Sequence, residues 1–252
     1  MYTASLSATG LVRVQNEDVI FVTTDPIGPL PNLFIVADGM GGHNAGEVAS
    51  QKSIEFACQF LQNVPQQAHP LTPDSICYLL VQAAIQANND VYNMASANPT
   101  LSGMGTTFSA CVVHEDMLIV AHIGDSRIYF INGKDISQVT TDHTYVEEMV
   151  SIGNITREEA KHHPKRSQIT RALGFESSVI ADGTTHSLKG VEFVLLCSDG
   201  LTDMLSDKEI LALITANAGL QQKVQALVDG ANNQGGKDNI SAIIIDVKGE
   251  IH

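Results

Sequence analysis

The sequence predicts an α+β layered fold in which antiparallel sheets are covered by helices, and three observations carry that prediction. Strand-like runs come in groups and helical runs in pairs, unlike the strict alternation of a parallel α/β sheet. Short turns join several of the strands, and such connections make neighbours antiparallel. With 252 residues, 44% hydrophobic and 17% charged, the chain can bury a large core. No linker, repeat or low-complexity segment divides it, so we expect one domain over residues 1–252.

From the start, Tyr2 to Ala8 alternates, and Val19 to Thr24 and Leu33 to Ala37 are short, branched and apolar, which is the pattern of strands. Pro26, Gly28, Pro29 and Pro31 mark the turn between the last two. Helices follow at Ala45 to Gln62 and Pro73 to Ser96. The second carries Ile76, Leu79, Leu80, Ala83, Ala87 and Val91 on one face, with Thr72 and Pro73 as N-cap and first residue. A strand meander is expected at Thr106 to Val113, Met117 to Ile123 and Ile128 to Ile131, with turns at Glu115-Asp116 and Asn132-Gly133. Between Thr144 and Gly174 short helices, one with a Thr156/Glu159 capping box, accompany five of the 14 basic residues: Arg157, Lys161, Lys165, Arg166 and Arg171. Strands return at Val179 to Ser187 and Glu192 to Cys197. Helices at Asp207 to Ala216, capped by Ser206 and Glu209, and at Leu220 to Asn232 lead to a final strand, Ile240 to Val247.

Fourteen Lys and Arg against 28 Asp and Glu give a net charge of −14. That surface repels phosphate backbones, so nucleic-acid binding is disfavoured. No apolar run reaches membrane-spanning length, and residues 1–20 lack the basic start and apolar block of a signal peptide, which predicts a cytoplasmic protein. Cys58, Cys77, Cys111 and Cys197 stand apart in apolar contexts, as reduced core thiols do.

The aspartates carry the chemistry. Asp18, Asp38, Asp125, Asp199, Asp203 and Asp238 each lie at the end of an apolar run or in a Gly-containing turn. Residues 33–39 and 194–200 share one form, a buried strand ending in Asp-Gly. An isolated Asp-Gly is an ordinary turn; several together suggest a site built at strand ends. If the carboxylates converge they require cations, since two charges about 4 Å apart repel by roughly 4 kcal/mol at an effective dielectric of about 20. All-oxygen ligands select Mg²⁺ or Mn²⁺, and paired ions are a common device for hydrolysing phosphate esters.

The segments RVQNED (13–18), VADGMGGH (36–43) with AGEVAS (45–50), GMGTT (103–107), GDSR (124–127), TRALG (170–174), SDGLTDM (198–204) and GGKDNIS (235–241) resemble, in order, the bacterial metal-dependent serine/threonine protein phosphatases of type 2C. The resemblance implies a four-layer αββα arrangement, a central β-sandwich of two antiparallel sheets flanked by antiparallel helices, with a flap subdomain at about 144–174. It implies two Mn²⁺ or Mg²⁺ ions, with Asp38 bridging them. Asp199 and Asp238 would complete the first site, and the Gly39 carbonyl with Glu17 or Asp18 would serve the second, directly or through water. Asp125, Asp203 and Asp199 would form a third, weaker site near the flap. Arg13 would hold the substrate phosphate as a bidentate cation.

The implied reaction is one-step hydrolysis of phosphoserine and phosphothreonine on proteins by a water between the ions, with no phospho-enzyme. A cognate serine/threonine kinase is implied as a partner, and a monomer is expected. Two other readings fit the same residues: a metal-binding phosphopeptide sensor with little turnover, and a phosphatase for one regulator or a small phosphate ester. The intact acidic set argues against the sensor. Met40 stands where the eukaryotic branch has a histidine proposed to protonate the leaving group, so the general acid is unassigned. His43 reads as a backbone-bonding residue, with metal-bound water as the other donor. His162-His163 reads as solvated loop, Asp142-His143 as a pin for the segment entering the flap, and Thr106 and Thr107 as strand or supporting residues. The basic flap would draw in phosphorylated loops and shape substrate choice.

Overall fold

The computed structural model describes residues 1–41, 45–65 and 71–249. Its first strands are β1 (Tyr2–Ala8), β2 (Asp18–Thr23) and β3 (Leu33–Met40), followed by helices α1 (Ala45–Asn63) and α2 (Pro73–Ala97). Next come β4 (Gly105–Thr106), β5 (Phe108–His114), β6 (Met117–Ile123), β7 (Arg127–Ile131) and β8 (Ile136–Gln138), then α3 (Tyr145–Ser151) and α4 (Arg157–Lys161). The chain continues through β9 (Asp182–Ser187), β10 (Phe193–Cys197), α5 (Asp199–Thr202), α6 (Asp207–Thr215), α7 (Leu220–Asn233) and β11 (Ile240–Asp246).

Two antiparallel sheets stack face to face. One runs β1-β11-β10-β7-β8 and the other β2-β3-β5-β6-β9, with β4 paired to β3. Central strands are buried at nearly every position because both faces are covered. In β3, Phe34 and Val36 point into the sandwich against Val194, Leu196, Ile243 and Ile245 of the other sheet. Leu33, Ile35 and Ala37 point outward and pack with α1 and α2. In the sheet that holds β10 and β11, Leu195 and Ile244 face outward toward Ile210 and Ile214 of α6 and Val224, Leu227 and Val228 of α7. Burial of these side chains, each contributing ~1.5–3 kcal/mol, holds the αββα layers together as expected.

Several elements depart from the sequence expectation. The expected strand over 106–113 is interrupted at Thr107, whose N–H donates to the Asp38 carbonyl (2.9 Å), while β4 pairs Gly39 and Met40. The expected meander does not close, because β6 and β7 belong to different sheets. Gly124, at φ +106°, turns the chain across the end of the sandwich, and a Cβ there would lie 2.6 Å from Thr107 Cγ2. The strand expected from Val179 begins at Asp182. The three-residue β8, the four-residue α5 and a single 3-10 turn at Pro99–Leu101 were not anticipated; each is too short to leave a periodic signal. The predicted caps do form: Thr72, Thr156 and Ser206 each close a capping box.

Candidate active site

The β2–β3 register sets Asp18 directly opposite Asp38. Asp38 stands where β3 runs out from between its neighbours, and Asp199 opens α5 immediately after β10. Asp238 precedes β11, and Asp125 sits in the crossing from β6 to β7. Ser198, next to Asp199, bonds Asp18, and Thr107 bonds both Asp38 and Ser126, next to Asp125, so segments far apart in the chain are tied together around Asp38.

Backbone and hydroxyl bonds fix the cluster. Thr107 Oγ1 accepts from the Asp38 N–H (2.9 Å), and Thr106 Oγ1 donates to the Asp38 carbonyl (2.9 Å). Thr107 Oγ1 lies 2.7 Å from Ser126 Oγ, tying Asp38 to the Asp125 loop. Ser198 Oγ donates to Asp18 Oδ2 (2.7 Å) and accepts from the Ser241 N–H (3.0 Å), which joins the two sheets. Asn239 is buried, and its side chain accepts from the Glu17 N–H (2.8 Å) and donates to the Thr9 and Gln15 carbonyls (3.0 and 2.9 Å). Sequence reasoning gave Ser198 and Asn239 no role and left Thr106 and Thr107 aside. Their only signal was membership of the GMGTT, SDGLTDM and GGKDNIS segments.

The electrostatics are those of crowded anions. Burial, then the charges of Asp18, Asp199, Asp125 and Asp238, hold the Asp38 pKa well above the usual carboxylate range. Burial with the charges of Asp238, Asp203 and Asp18 pushes Asp199 up to about 7. Burial lifts Asp18 to about 6 against the lowering bond from Ser198, and Asp125 is raised by burial and by Asp199. Asp18 Oδ1 and Asp125 Oδ1 are buried without a hydrogen-bond partner in the protein. Orphaned carboxylate oxygens amid like charges, with oxygen as the donor type throughout, fit a hard divalent cation. Among the described residues no three His, Cys, Asp or Glu side chains are grouped tightly enough to hold an ion alone. An ion here would therefore complete its shell with carbonyls, water or substrate oxygens.

Glu17 lies beside the cluster rather than within it. Its carbonyl accepts from the Gly39 N–H (3.1 Å), and its side-chain Oε1 abuts Gly46 at the start of α1. A Cβ on Gly39 would fall 2.2 Å from the Gly46 carbonyl oxygen, so only glycine fits that junction. Arg13 is half-exposed and its guanidinium donates to Asp238 Oδ2 (2.7 Å). Asp203 is more exposed than the others and receives Arg166 from the 144–174 segment at 3.4 Å.

That contact changes the picture of the basic segment. Arg157 pairs with Glu147, Lys161 with Glu158 and Arg171 with Asp182, and Lys165 lies 4.8 Å over the Tyr145 ring. Its charges are largely matched locally, and Arg166 is the one that reaches a candidate ligand. His162 is exposed, with its ring 4.0 Å from Glu158, as expected for loop. His43 lies outside the described residues. Asp142 grips Arg127 through both oxygens, and His143 accepts from the Gly124 N–H at Nδ1 (3.0 Å), so that pair pins the Asp125 loop as well as the segment that follows. Thiol chemistry has no place here: burial pushes Cys58 up to about 11 and Cys197 up to about 12.

Residues 13–243 match the family model described as protein phosphatase 2C. The chain is 34% identical to the serine/threonine phosphatase stp of Listeria welshimeri over 240 residues, covering 94% of this chain and 92% of that one. Among solved structures it resembles the serine/threonine phosphatase Stp1 from Staphylococcus aureus, with a TM-score of 0.89, 32% identity and coverage of 98% and 95% of the two chains. It also resembles the catalytic domain of the phosphatase PstP solved with two manganese ions, at a TM-score of 0.81, 33% identity and 97% coverage of each chain. The chain belongs to the protein phosphatase 2C family and is a metal-dependent serine/threonine protein phosphatase.

Proposed function

We propose that Asp38 is the shared ligand of two Mn²⁺ or Mg²⁺ ions, with Asp199 and Asp238 on the first and the Gly39 carbonyl with Asp18 or Glu17 on the second. The observation that carries this is geometric: Asp18 faces Asp38 in the β2–β3 register, Ser198 beside Asp199 bonds Asp18, and Thr107 links Asp38 to Ser126 beside Asp125. Asp18 is the better placed of the acidic pair, being buried with an orphaned oxygen, whereas Glu17 sits against Gly46. Asp125, Asp203 and Asp199 are assigned to a further, weaker ion beside the 144–174 segment, which we read as a flap within one domain. When bound, the ions lower the pKa of water and neutralise charge on the phosphoryl oxygens.

The chain's own residues do the rest. Arg13 keeps donors free beyond its bond to Asp238 and can present its planar fork to two phosphate oxygens. Thr106 and Thr107 hold the Asp38 backbone still, and Asn239 fixes the segment that carries Arg13 and Glu17. No thiol in the chain is acidic enough to serve as a nucleophile near neutral pH. His122 is committed through Nδ1 to Ser109 and Nε2 to the Thr141 carbonyl, and His143 through Nδ1 to Gly124 and Nε2 to Asp182. Neither ring has a nitrogen to spare for the leaving group.

The reading extends to a cognate kinase, since protein phosphoserine and phosphothreonine must be installed by phosphoryl transfer. A monomer is supported by the self-repulsion of a −14 charge, and a cytoplasmic location by four unpaired cysteines. The test is hydrolysis of p-nitrophenyl phosphate and a phosphothreonine peptide with Mn²⁺, Mg²⁺, Zn²⁺ or chelator. Turnover should need Mn²⁺ or Mg²⁺ and collapse in Asp38→Asn and Asp199→Ala. Full activity in either variant would show that the ligands are wrongly assigned.

A further inference from the structure

We propose that Leu11, Val12 and Val14 form an apolar rim that selects phosphoproteins carrying aliphatic or aromatic residues within two positions of the phosphorylated serine or threonine. This rests on the reading of Arg13 as the phosphate-holding residue. The three side chains are 68%, 65% and 101% exposed, so folding makes little use of them. Isolated exposed aliphatics are ordinary; three in four residues, interleaved with the arginine at the lip of an active site, are not.

The segment that presents them is pinned. The Leu11 and Val12 N–H groups both donate to the Gly236 carbonyl (2.7 and 3.2 Å), and Asn239 Nδ2 holds the Thr9 and Gln15 carbonyls on either side. Arg13 is tied to Asp238, and Gln15 Nε2 donates to Glu47 Oε2 (2.6 Å). A slack loop would fold its apolar groups inward. This one cannot, and it keeps them facing outward at fixed positions, the kind of preorganisation that makes a contact surface effective.

The occupant follows from continuity with Arg13. Val12 and Val14 are its immediate neighbours, with Cα atoms about 3.8 Å from that of Arg13, and an extended chain advances about 3.3–3.6 Å per residue. A substrate segment whose phosphate reaches Arg13 must lay its adjacent residues on these side chains. Glu17, Glu47 and Asp238 surround the segment, so acidic flanking residues meet repulsion where apolar ones find contact.

The test compares phosphothreonine peptides of one length that carry either Leu or Ser on both sides of the phosphorylated residue. With the Mn²⁺-loaded enzyme the Leu peptide should be favoured at least fivefold in kcat/KM, through KM. That ratio should fall to near one in Val12→Ser/Val14→Ser and persist in Val12→Ile/Val14→Ile. Anisotropy of the labelled peptides on Asp38→Asn should show the same ranking in binding without turnover. A wild-type ratio within twofold, or a preference that survives the Ser double variant, overturns the proposal. So does a wild type that self-associates in sedimentation while the Ser variant does not, which would assign the rim to a second copy of the chain. Hydrolysis of p-nitrophenyl phosphate, too small to span the rim, reads the metal site and Arg13 without it. Its absence in wild type would fail the parent reading, while the anisotropy ranking still judges the rim.

Discussion

Removing the metal should make this protein less stable as the pH rises from 6.5 to 8, against the usual expectation for that range. The folded state raises Asp199 from its ordinary 3.8 to about 7, so below pH 7 it holds a proton that the unfolded chain has released. A raised carboxylate pKa contributes stability that is present at low pH and lost as pH climbs through the folded value. Across 6.5 to 8 this amounts to about 1 kcal/mol from Asp199, and Asp38, also held well above the usual carboxylate range, acts in the same direction. The buried imidazole works oppositely. Burial lowers His122 from 6.5 to about 4, so most of its contribution is lost on acidification below 6.5, and only about 0.4 kcal/mol is still gained between 6.5 and 8. Working above 6.5 therefore keeps most of the imidazole contribution out of the comparison. For a chain of this size the Asp199 part alone shifts the melting temperature by about 2–4 °C. Thermal unfolding in chelator should show that fall, and Asp38→Asn should flatten it and melt above wild type at pH 8. Mn²⁺ should restore wild type and do little for the variant. A metal-free melting temperature that holds or rises over this range, or an Asp38→Asn protein less stable than wild type in chelator at pH 8, would refute the crowding of charges around Asp38.

Asn239→Ala removes three buried hydrogen bonds and should cost about 2–4 kcal/mol in urea unfolding, with a fall in kcat/KM of about tenfold as the Arg13 segment loosens. Thr107→Val leaves the Asp38 N–H without its acceptor and cuts the link to Ser126; we expect a loss of about 1–3 kcal/mol and Mn²⁺ binding weakened about tenfold by calorimetry. Gly124→Ala forces a Cβ to 2.6 Å from Thr107 at a positive φ and should destabilise by more than about 2 kcal/mol on denaturant titration. Arg166→Ala should tighten binding of the weakest Mn²⁺ equivalent, because it removes a cation competing for Asp203; an unchanged isotherm would remove Arg166 from the site.

The layers of the fold were legible because burial on two faces leaves an unmistakable mark. Strands such as Leu33 to Ala37 are apolar throughout, and the long helices carry one apolar stripe and a cap. What could not be read was which strands share a sheet. A turn as short as Gly124 to Ser126 reads as a hairpin, yet a single positive-φ glycine sends the chain across the sandwich instead. The same limit applies to the site. Its carboxylates announce themselves by type and by position after apolar runs, but a side chain such as Asn239 is polar, common in loops and silent about its partners. Only the fold reveals that it bonds residues more than 220 positions away.

The proposed ligands sit on backbone that the fold ties together rather than on independent loops. From the Asp38 N–H a continuous chain of contacts runs through Thr107 Oγ1 to Ser126 Oγ, and Ser109 Oγ joins the Ser126 carbonyl (3.0 Å) to His122 Nδ1 (2.9 Å). His122 Nε2 can only donate to the Thr141 carbonyl (3.1 Å), so a neutral ring must accept at Nδ1. Ser109 has one proton, and the imidazole and the Ser126 carbonyl both require it. Burial keeps the ring neutral, so Nδ1 competes for that proton with the Ser126 carbonyl, which stands in the turn that carries Asp125. A charged His122 would instead donate from Nδ1 to Ser109 Oγ and leave the hydroxyl proton to the Ser126 carbonyl. The buried Ser109 thus couples the proton state of an imidazole in the core to the backbone beside Asp125, and carboxylates proposed to meet an ion together rather than repel one another apart need such ties to their backbone.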